Sequence, residues 1–436
     1  MRICVFAAAC AVLIAPALWN GFPLLQWDTG GYLARWFEGY LVPSRSTVYG
    51  LFVAAGIAFD FWPQIAIQAA CVVWIVALAC RIYLGASRPL TAFACIVALA
   101  ATTTLPWIAA VLITDVFVGP SIIALHLLIF ERAKLSRRET AMLVAFVAFV
   151  AATHNATLAL FLFLLSVAAV AWIVRRDAVP GRGIVRGAIA VALGTAMLLA
   201  VNFALSGRVA WAPGGYGIVF GRMLQDGIVA RYLEDRCPDP RLKLCAHKNA
   251  LPRNADAFLW GHSVFDQLGR FAGLNDEMRT IVLESLAAYP LLQVKHAVID
   301  TVLQLVSVRS GEGVVSTMWH TYGIIERYTP GVVPAMRKAR QQQRDIDFDM
   351  LNRVHVPVAL LSMALLPVLM LRGAQDRRSS DLGLLALSLT LAILGNAAIC
   401  GVLSDPHDRY GARIVWIATF AIFLAAIRLV RERRRA

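Results

Sequence analysis

Asp28 lies in the stretch Asn20-Gly21-Phe22-Pro23-Leu24-Leu25-Gln26-Trp27-Asp28-Thr29-Gly30-Gly31-Tyr32-Leu33, a few residues beyond an apolar run. Aromatic residues that anchor at membrane interfaces flank it, as do glycines that let backbone or substrate approach. A carboxylate at such a boundary is costly unless a polar cavity or a partner receives it, which makes Asp28 a candidate functional residue. Asp28 or Thr29 would equally serve as the N-cap of a short helix through Tyr32, Trp36 and Phe37. Asp115, in Leu112-Ile113-Thr114-Asp115-Val116-Phe117, is the second acid. Either it caps the apolar segment that follows, or it joins Asp28, the two dividing the work of a base and an organiser of metal or phosphate.

The stretch Ser404-Asp405-Pro406-His407-Asp408-Arg409-Tyr410-Gly411-Ala412-Arg413 packs Asp405, His407, Asp408, Arg409 and Arg413 between two apolar runs. Arg409 and Arg413 are four apart, so on a helix they share a face and would grip an anionic head group, with His407 and Asp408 beside them. The plainer alternative has Asp405 capping the helix and Arg409 paired with Asp408. His154-Asn155 at the tip of an apolar hairpin is a substrate contact or the polar residue any turn needs. Arg35, Glu38 and Arg45 are phosphate or sugar contacts, or a solvated helix face. His126, inside an apolar run, reads as a hydrogen-bonded packing residue. No phosphate-cradling glycine loop, zinc-type histidine pair or serine nucleophile elbow occurs. ATP-driven chemistry is thereby set aside and no metal site is assigned, although a divalent cation stays open as a cofactor.

The elements that must position these residues are apolar helices. Of 436 residues, 59% are hydrophobic and only 16% charged, too apolar for a soluble globular domain or a disordered chain. An all-α membrane protein of about ten spans is expected. They are placed at about 3–19, 63–84, 89–105, 116–130, 140–153, 157–174, 187–205, 354–371, 382–403 and 411–429. The first reads as a retained anchor, since Pro16-Ala17-Leu18-Trp19 is a poor signal-peptide cleavage site. Thr47 to Phe59 is too short to span comfortably and ends at Asp60-Phe61-Trp62-Pro63, so it is expected to lie at the interface. Three units follow: 1–205 as an N-terminal bundle, 206–353 as one large external domain, and 354–436 as a C-terminal segment of three spans. Turn signals such as Pro213-Gly214-Gly215 mark the external unit, and within it Asp276–Tyr289 and Leu291–Ser307 have helical spacing, the second resting on the membrane surface.

A net charge of +14 would raise the question of nucleic acid, but its location answers it. Nineteen Lys and Arg, from Arg2, Arg81 and Arg88 to Arg428, Arg431, Arg433, Arg434 and Arg435, fall at alternate ends of the apolar segments. Only six acids, Glu131, Glu139, Asp177, Asp376, Asp381 and Glu432, share that side. This is the positive-inside bias, which places both termini in the cytoplasm and implies no nucleic acid. Abundant Ala and Arg suggest a bacterium, hence its inner membrane, with the large loop periplasmic. Six cysteines lie in apolar runs as packing residues. Cys237 and Cys245 bracket a tight polar loop and are expected to form a disulfide; a zinc site there would have only His247 as a third ligand.

An N-terminal span, an acid in the first external loop before an interfacial helix, an acid in the second external turn and a late external Arg409-Tyr410 resemble the multi-pass glycosyltransferases of the GT-C class. The stretches 20–33, 39–52, 213–227, 232–260 and 405–416 are further similar to a group of bacterial membrane proteins without assigned activity. The resemblance implies transfer of a sugar from a polyprenyl-phosphate carrier to a lipid or glycan acceptor on the external face. It would make Asp28 the base toward the acceptor hydroxyl, and one of Arg35, Arg45, Arg409 and Arg413 the partner of the phosphate leaving group. A lone Asp28 stands where the class often has paired acids, and the Leu-x-Pro that often follows the Arg-Tyr is missing. A transporter or flippase of a lipid-linked precursor, or a non-catalytic assembly protein, is the alternative.

Overall fold

The computed structural model describes residues 3–39, 45–85, 89–176, 179–211 and 215–434. Arg2, Arg88, Asp177, Pro213, Gly214 and Arg435 lie outside them. The first half runs through α1 (Ile3–Asn20), α2 (Trp27–Glu38), α3 (Thr47–Ala54), α4 (Trp62–Leu84), α5 (Pro89–Thr102), α6 (Leu105–Ala110), α7 (Val118–Phe130), α8 (Arg137–Thr153), α9 (Asn155–Val174) and α10 (Gly181–Ser206). Next come α11 (Gly215–Gln225), α12 (Ile228–Arg236), α13 (Ala255–Leu259), α14 (Val264–Gln267), α15 (Arg270–Ala288) and α16 (Pro290–Val306). A connector with α17 (Trp319–Tyr328), α18 (Val333–Lys338) and α19 (Arg340–Gln343) leads to α20 (Asp349–Gln375), α21 (Ser380–Leu403) and α22 (Asp408–Arg433).

Every expected span is helical. Among the described residues seven helices are long and apolar enough to cross a membrane: α1, α4, α9, α10, α20, α21 and α22. The other three, α5, α7 and α8, have 14, 13 and 17 residues. They are short because they pack against protein: α7 is buried from Val118 through Ile129. Peripheral α9 and α10 turn Val170, Ile173, Val174 and Leu193 outward, an arrangement water would disfavour. His126 on α7 is a packing residue, its ring nitrogens each 2.8 Å from Ser388 Oγ and Tyr83 Oη.

The break before α4 has a backbone cause. α3 ends at Ala54, and after a short 3-10 turn over Ile57–Phe59 both Asp60 and Phe61 take left-handed conformations, with φ of 49° and 63°, so the chain turns before α4 starts at Trp62.

The stretch expected as one external unit is built as two. Helices α11 to α15 enclose their own core of Phe220, Met223, Phe258, Phe265, Met278 and Ile281. The Cys237–Cys245 disulfide is formed beside it. The connector instead joins the main core through Val314, Met318, Ile325 and Met336, and α20 begins at Asp349 rather than near Val354. The physical reason is Gln341, whose amide binds Leu25 N and O at 3.0 and 2.8 Å and whose N–H donates to Asn20 Oδ1 at 2.8 Å, stitching the connector to the end of α1.

Helix α16 is inside out relative to a soluble amphipathic helix. Leu291, Val294, Val298 and Val302 face outward, while Gln293, Asp300 and Gln304 are buried. Asp300 Oδ2 has no hydrogen-bond partner. Burial, reinforced by Asp226, pushes the Asp300 carboxyl up to about 6. An acid whose folded pKa is raised favours folding fully below the unfolded value near 4, and that contribution is lost as pH rises through 6. Asp300→Asn is therefore expected to raise the melting temperature in detergent, with a gain on the order of 2–3 kcal/mol at pH 8 that vanishes near pH 4. Equal shifts at both pH values would contradict this.

Candidate functional site

Two loops are clamped together before any charge is placed. Leu24 pairs with Val111 in an isolated parallel bridge, Leu24 N donating to Ala110 O at 2.9 Å and Leu112 N to Leu24 O at 3.0 Å. Two residues on, α2 begins, and its cap is neither Asp28 nor Thr29 alone. Gln26 is the N-cap: its side chain accepts from Asp28 N at 2.9 Å, while Thr29 Oγ1 accepts from Gln26 N at 3.0 Å. With the cap made by neighbours on both sides, the Asp28 carboxylate is released for other partners.

Those partners are arginines from distant segments. Arg409 Nη1 donates to Asp28 Oδ2 at 2.7 Å, and Arg409 Nε donates to Asp115 Oδ2 at 2.8 Å. Arg45 pairs with the other Asp28 oxygen. Arg413 Nη1 donates to Asp115 Oδ1 at 2.9 Å, and its Nη2 to Asn396 Oδ1 at 2.9 Å. A glycine sets the register of this network. A Cβ on Gly119 would come within 2.7 Å of the Trp416 indole, so the missing side chain lets α7 and α22 approach closely there. Asp115 lies one turn before Gly119 and Arg413 one turn before Trp416, so that contact brings acid and base together.

Asp28, Arg45 and Arg409 open onto a cavity of about 1030 Å³, large enough for a drug-sized or sugar-phosphate ligand. Asp256, Trp260 and Arg270, from the unit of α11 to α15, line it too, as do His154 and His407. Burial would raise the Asp28 carboxyl, but Arg45 and Arg409 outweigh it and hold the pKa below the usual range. Burial, then Arg413, lowers His154 to about 3, so the imidazole is neutral and packs on Thr157 Oγ1 at 3.1 Å.

A second group sits on the same wall. His407 Nδ1 is 2.6 Å from Glu312 Oε1, and Nε2 faces Asp405 Oδ2 at 3.2 Å and Asp256 Oδ2 at 3.8 Å. Asp256, Asp405 and His407 offer ligand atoms within 4.8 Å of one another, a grouping that suits a metal ion. Burial lowers the His407 imidazole, but its bonds to Asp405 and Glu312 more than reverse this and push it up to about 12.

Of the residues singled out in the sequence, Asp28, Arg45, His154, His407 and Arg409 meet at the cavity; Arg35, Asp115, Asp408 and Arg413 do not. Arg35 is buried in α2. Asp115 is no cap, since α7 starts at Val118 without a side-chain cap, and at 3% exposure it is enclosed by its two arginines. Arg413 is 1% exposed behind it. Arg409 does not pair with Asp408, whose Oδ1 accepts from Arg309 N at 2.9 Å; Asp405 does not cap α22 either. Glu38 accepts from Tyr328 Oη at 2.9 Å. Sequence reading passed over Glu312 and Asp256. Glu312 carried a signal, a lone acid between two glycines: Gly311 and Gly313 adopt φ of 100° and 77° and present it to His407 and to Arg409 N at 2.6 Å.

No protein-family model, curated protein or solved structure matches this chain.

Removing one member of a buried ion pair strands the other charge, at a cost of about 3–5 kcal/mol. Asp115→Ala is expected to lower thermal stability in detergent by that order, since it strands Arg413 and takes from Arg409 one of its two carboxylates. Arg241→Ala, which breaks an exposed pair with Asp239, should leave the melting point unchanged. Comparable shifts for the two variants would refute the central role of the network.

Proposed function

We propose that the chain is an integral membrane glycosyltransferase of GT-C type, moving a sugar from a polyprenyl-phosphate carrier to a lipid or glycan acceptor of a bacterial envelope. In this reading ten helices cross the inner membrane, both termini are cytoplasmic, and α11 to α16 stand on the periplasmic side. A divalent cation held by Asp256, Asp405 and His407 is compatible with it. The observation that carries the reading is an acid on the wall of a large cavity, Asp28, held between two arginines at the outer ends of apolar helices.

The ion pairs imply an order of events. Doubly paired, the Asp28 carboxylate is a weak base. A donor phosphate entering the cavity competes for Arg45 and Arg409, and as they turn to it their hold on Asp28 relaxes and its basicity rises. The acceptor hydroxyl then gives its proton to Asp28 as its oxygen bonds to the anomeric carbon. The carbon–oxygen bond to the phosphate breaks, and the departing polyprenyl phosphate keeps the electron pair, its charge met by the arginines.

Glycan and lipid-linked saccharide profiling of a deletion strain tests this. A sugar lost on deletion should return with the wild-type gene, but not with Asp28→Asn, whose rate is expected to fall by about 10²–10⁴ at normal expression. Arg45→Gln should cost about a hundredfold through the leaving group. Full restoration by Asp28→Asn would end the proposal, and lipid flux without any glycosylated product would replace it with transport.

A further inference from the structure

We infer that His407, Asp405 and Asp256 form a binding site for one divalent transition-metal ion, of the Mn²⁺ or Zn²⁺ kind, on the wall of the large cavity. The inference goes beyond the proposed sugar transfer and does not depend on it.

Three observations carry it. The first is spacing. Two donor atoms about 2.1 Å from a shared ion stand roughly 3.0 Å apart at octahedral angles and about 3.4 Å apart at tetrahedral ones. His407 Nε2 stands 3.2 Å from Asp405 Oδ2 and 3.8 Å from Asp256 Oδ2, and all three ligand atoms lie within 4.8 Å of one another, so small side-chain rotations bring the triad around an ion. The second is the imidazole's orientation. Glu312 engages Nδ1 at 2.6 Å, which fixes the ring and aims Nε2 at the two aspartates, the arrangement by which a carboxylate behind a histidine orients a metal ligand. Gln304 holds the backbone of the same residue on both sides, accepting from His407 N at 2.9 Å and donating to His407 O at 2.8 Å. The third is charge and space. Asp256, Asp405 and Glu312 surround a single imidazole, and the neighbouring Arg409 spends its guanidinium on Asp28 and Asp115. All four members line the cavity, which leaves room for the further ligands an ion needs.

One nitrogen and two carboxylate oxygens suit Mn²⁺ or Zn²⁺ better than the all-oxygen shells of Ca²⁺ and Mg²⁺. The ion takes the place of the Nε2 proton, which leaves to solvent, and the triad becomes a three-ligand set with its open positions toward the void. An anionic oxygen of the cavity's occupant then completes the shell. Asp256 belongs to the external unit, and Asp405 and His407 to the turn before α22. Ion binding therefore ties the external unit to the helical bundle.

The full-length protein, purified in detergent and stripped with chelator, is titrated with Mn²⁺ while the electron paramagnetic resonance of the free ion is followed, with Zn²⁺ as competitor. Saturable binding of about one ion per chain is expected, displaced by Zn²⁺. Asp256→Asn replaces a part-exposed side chain and should weaken binding by at least about tenfold without affecting folding. Glu312→Gln should weaken it by about 10–100-fold through the imidazole alone. Absence of saturable binding, or binding that Asp256→Asn leaves unchanged, overturns the site. Binding without any sugar transfer removes the transferase reading alone, and transfer by a chain that binds no ion removes the metal site alone.

Discussion

Arg409 is the side chain on which the rest of the structure depends. One guanidinium holds Asp28 at the start of α2 and Asp115 just before α7, and its own backbone N–H holds Glu312 from the connector. Each of these three charges would be costly if left alone at the edge of an apolar bundle. Packed together, they satisfy one another and specify how four segments distant in sequence must meet. The bridge between Leu24 and Val111, the capping of α2 by Gln26 and Thr29, and the close approach of Gly119 to Trp416 all bring the partners within reach of that one residue.

The same network separates the charges that a ligand meets from those that support them. Arg413 and Asp115 lie behind Arg409, enclosed by protein, and serve to hold it in place. Arg45, Asp28 and Arg409 itself form the face that a ligand meets. A carboxylate held by two arginines is a poor base and a good lock, so the chemistry proposed for this site needs an anion able to compete for the arginines. A phosphate-bearing lipid has that property and is the kind of molecule that the outer ends of apolar helices would present.

Polarity is also inverted at α16. Its outward valines and leucines and its inward Gln293, Asp300 and Gln304 make sense only for a helix whose outer face meets something other than water, as expected for a segment resting on a membrane surface. The buried polar side has a task, because Gln304 fixes His407 and so shapes the cavity wall.

The apolar helices and their approximate ends were legible in the sequence because hydropathy acts locally: a run of apolar residues tends to form a helix whatever it packs against. The Cys237–Cys245 disulfide was legible for the same reason, the loop between the two cysteines being short. The importance of Asp28, Arg45, His154, His407 and Arg409 showed in their placement beside apolar runs. Which of the neighbouring charges would be structural did not show. Asp115 and Arg413 carry the same chemical groups as Asp28 and Arg409, and only burial separates the two sets. Asp256 and Glu312 lie in a polar segment where an acid is unremarked, and they gain meaning only when the chain returns them to His407. Sequence by itself determined what each segment must do with water and lipid. The tertiary structure alone decided which charges face each other, because ion pairing acts across space between residues hundreds of positions apart.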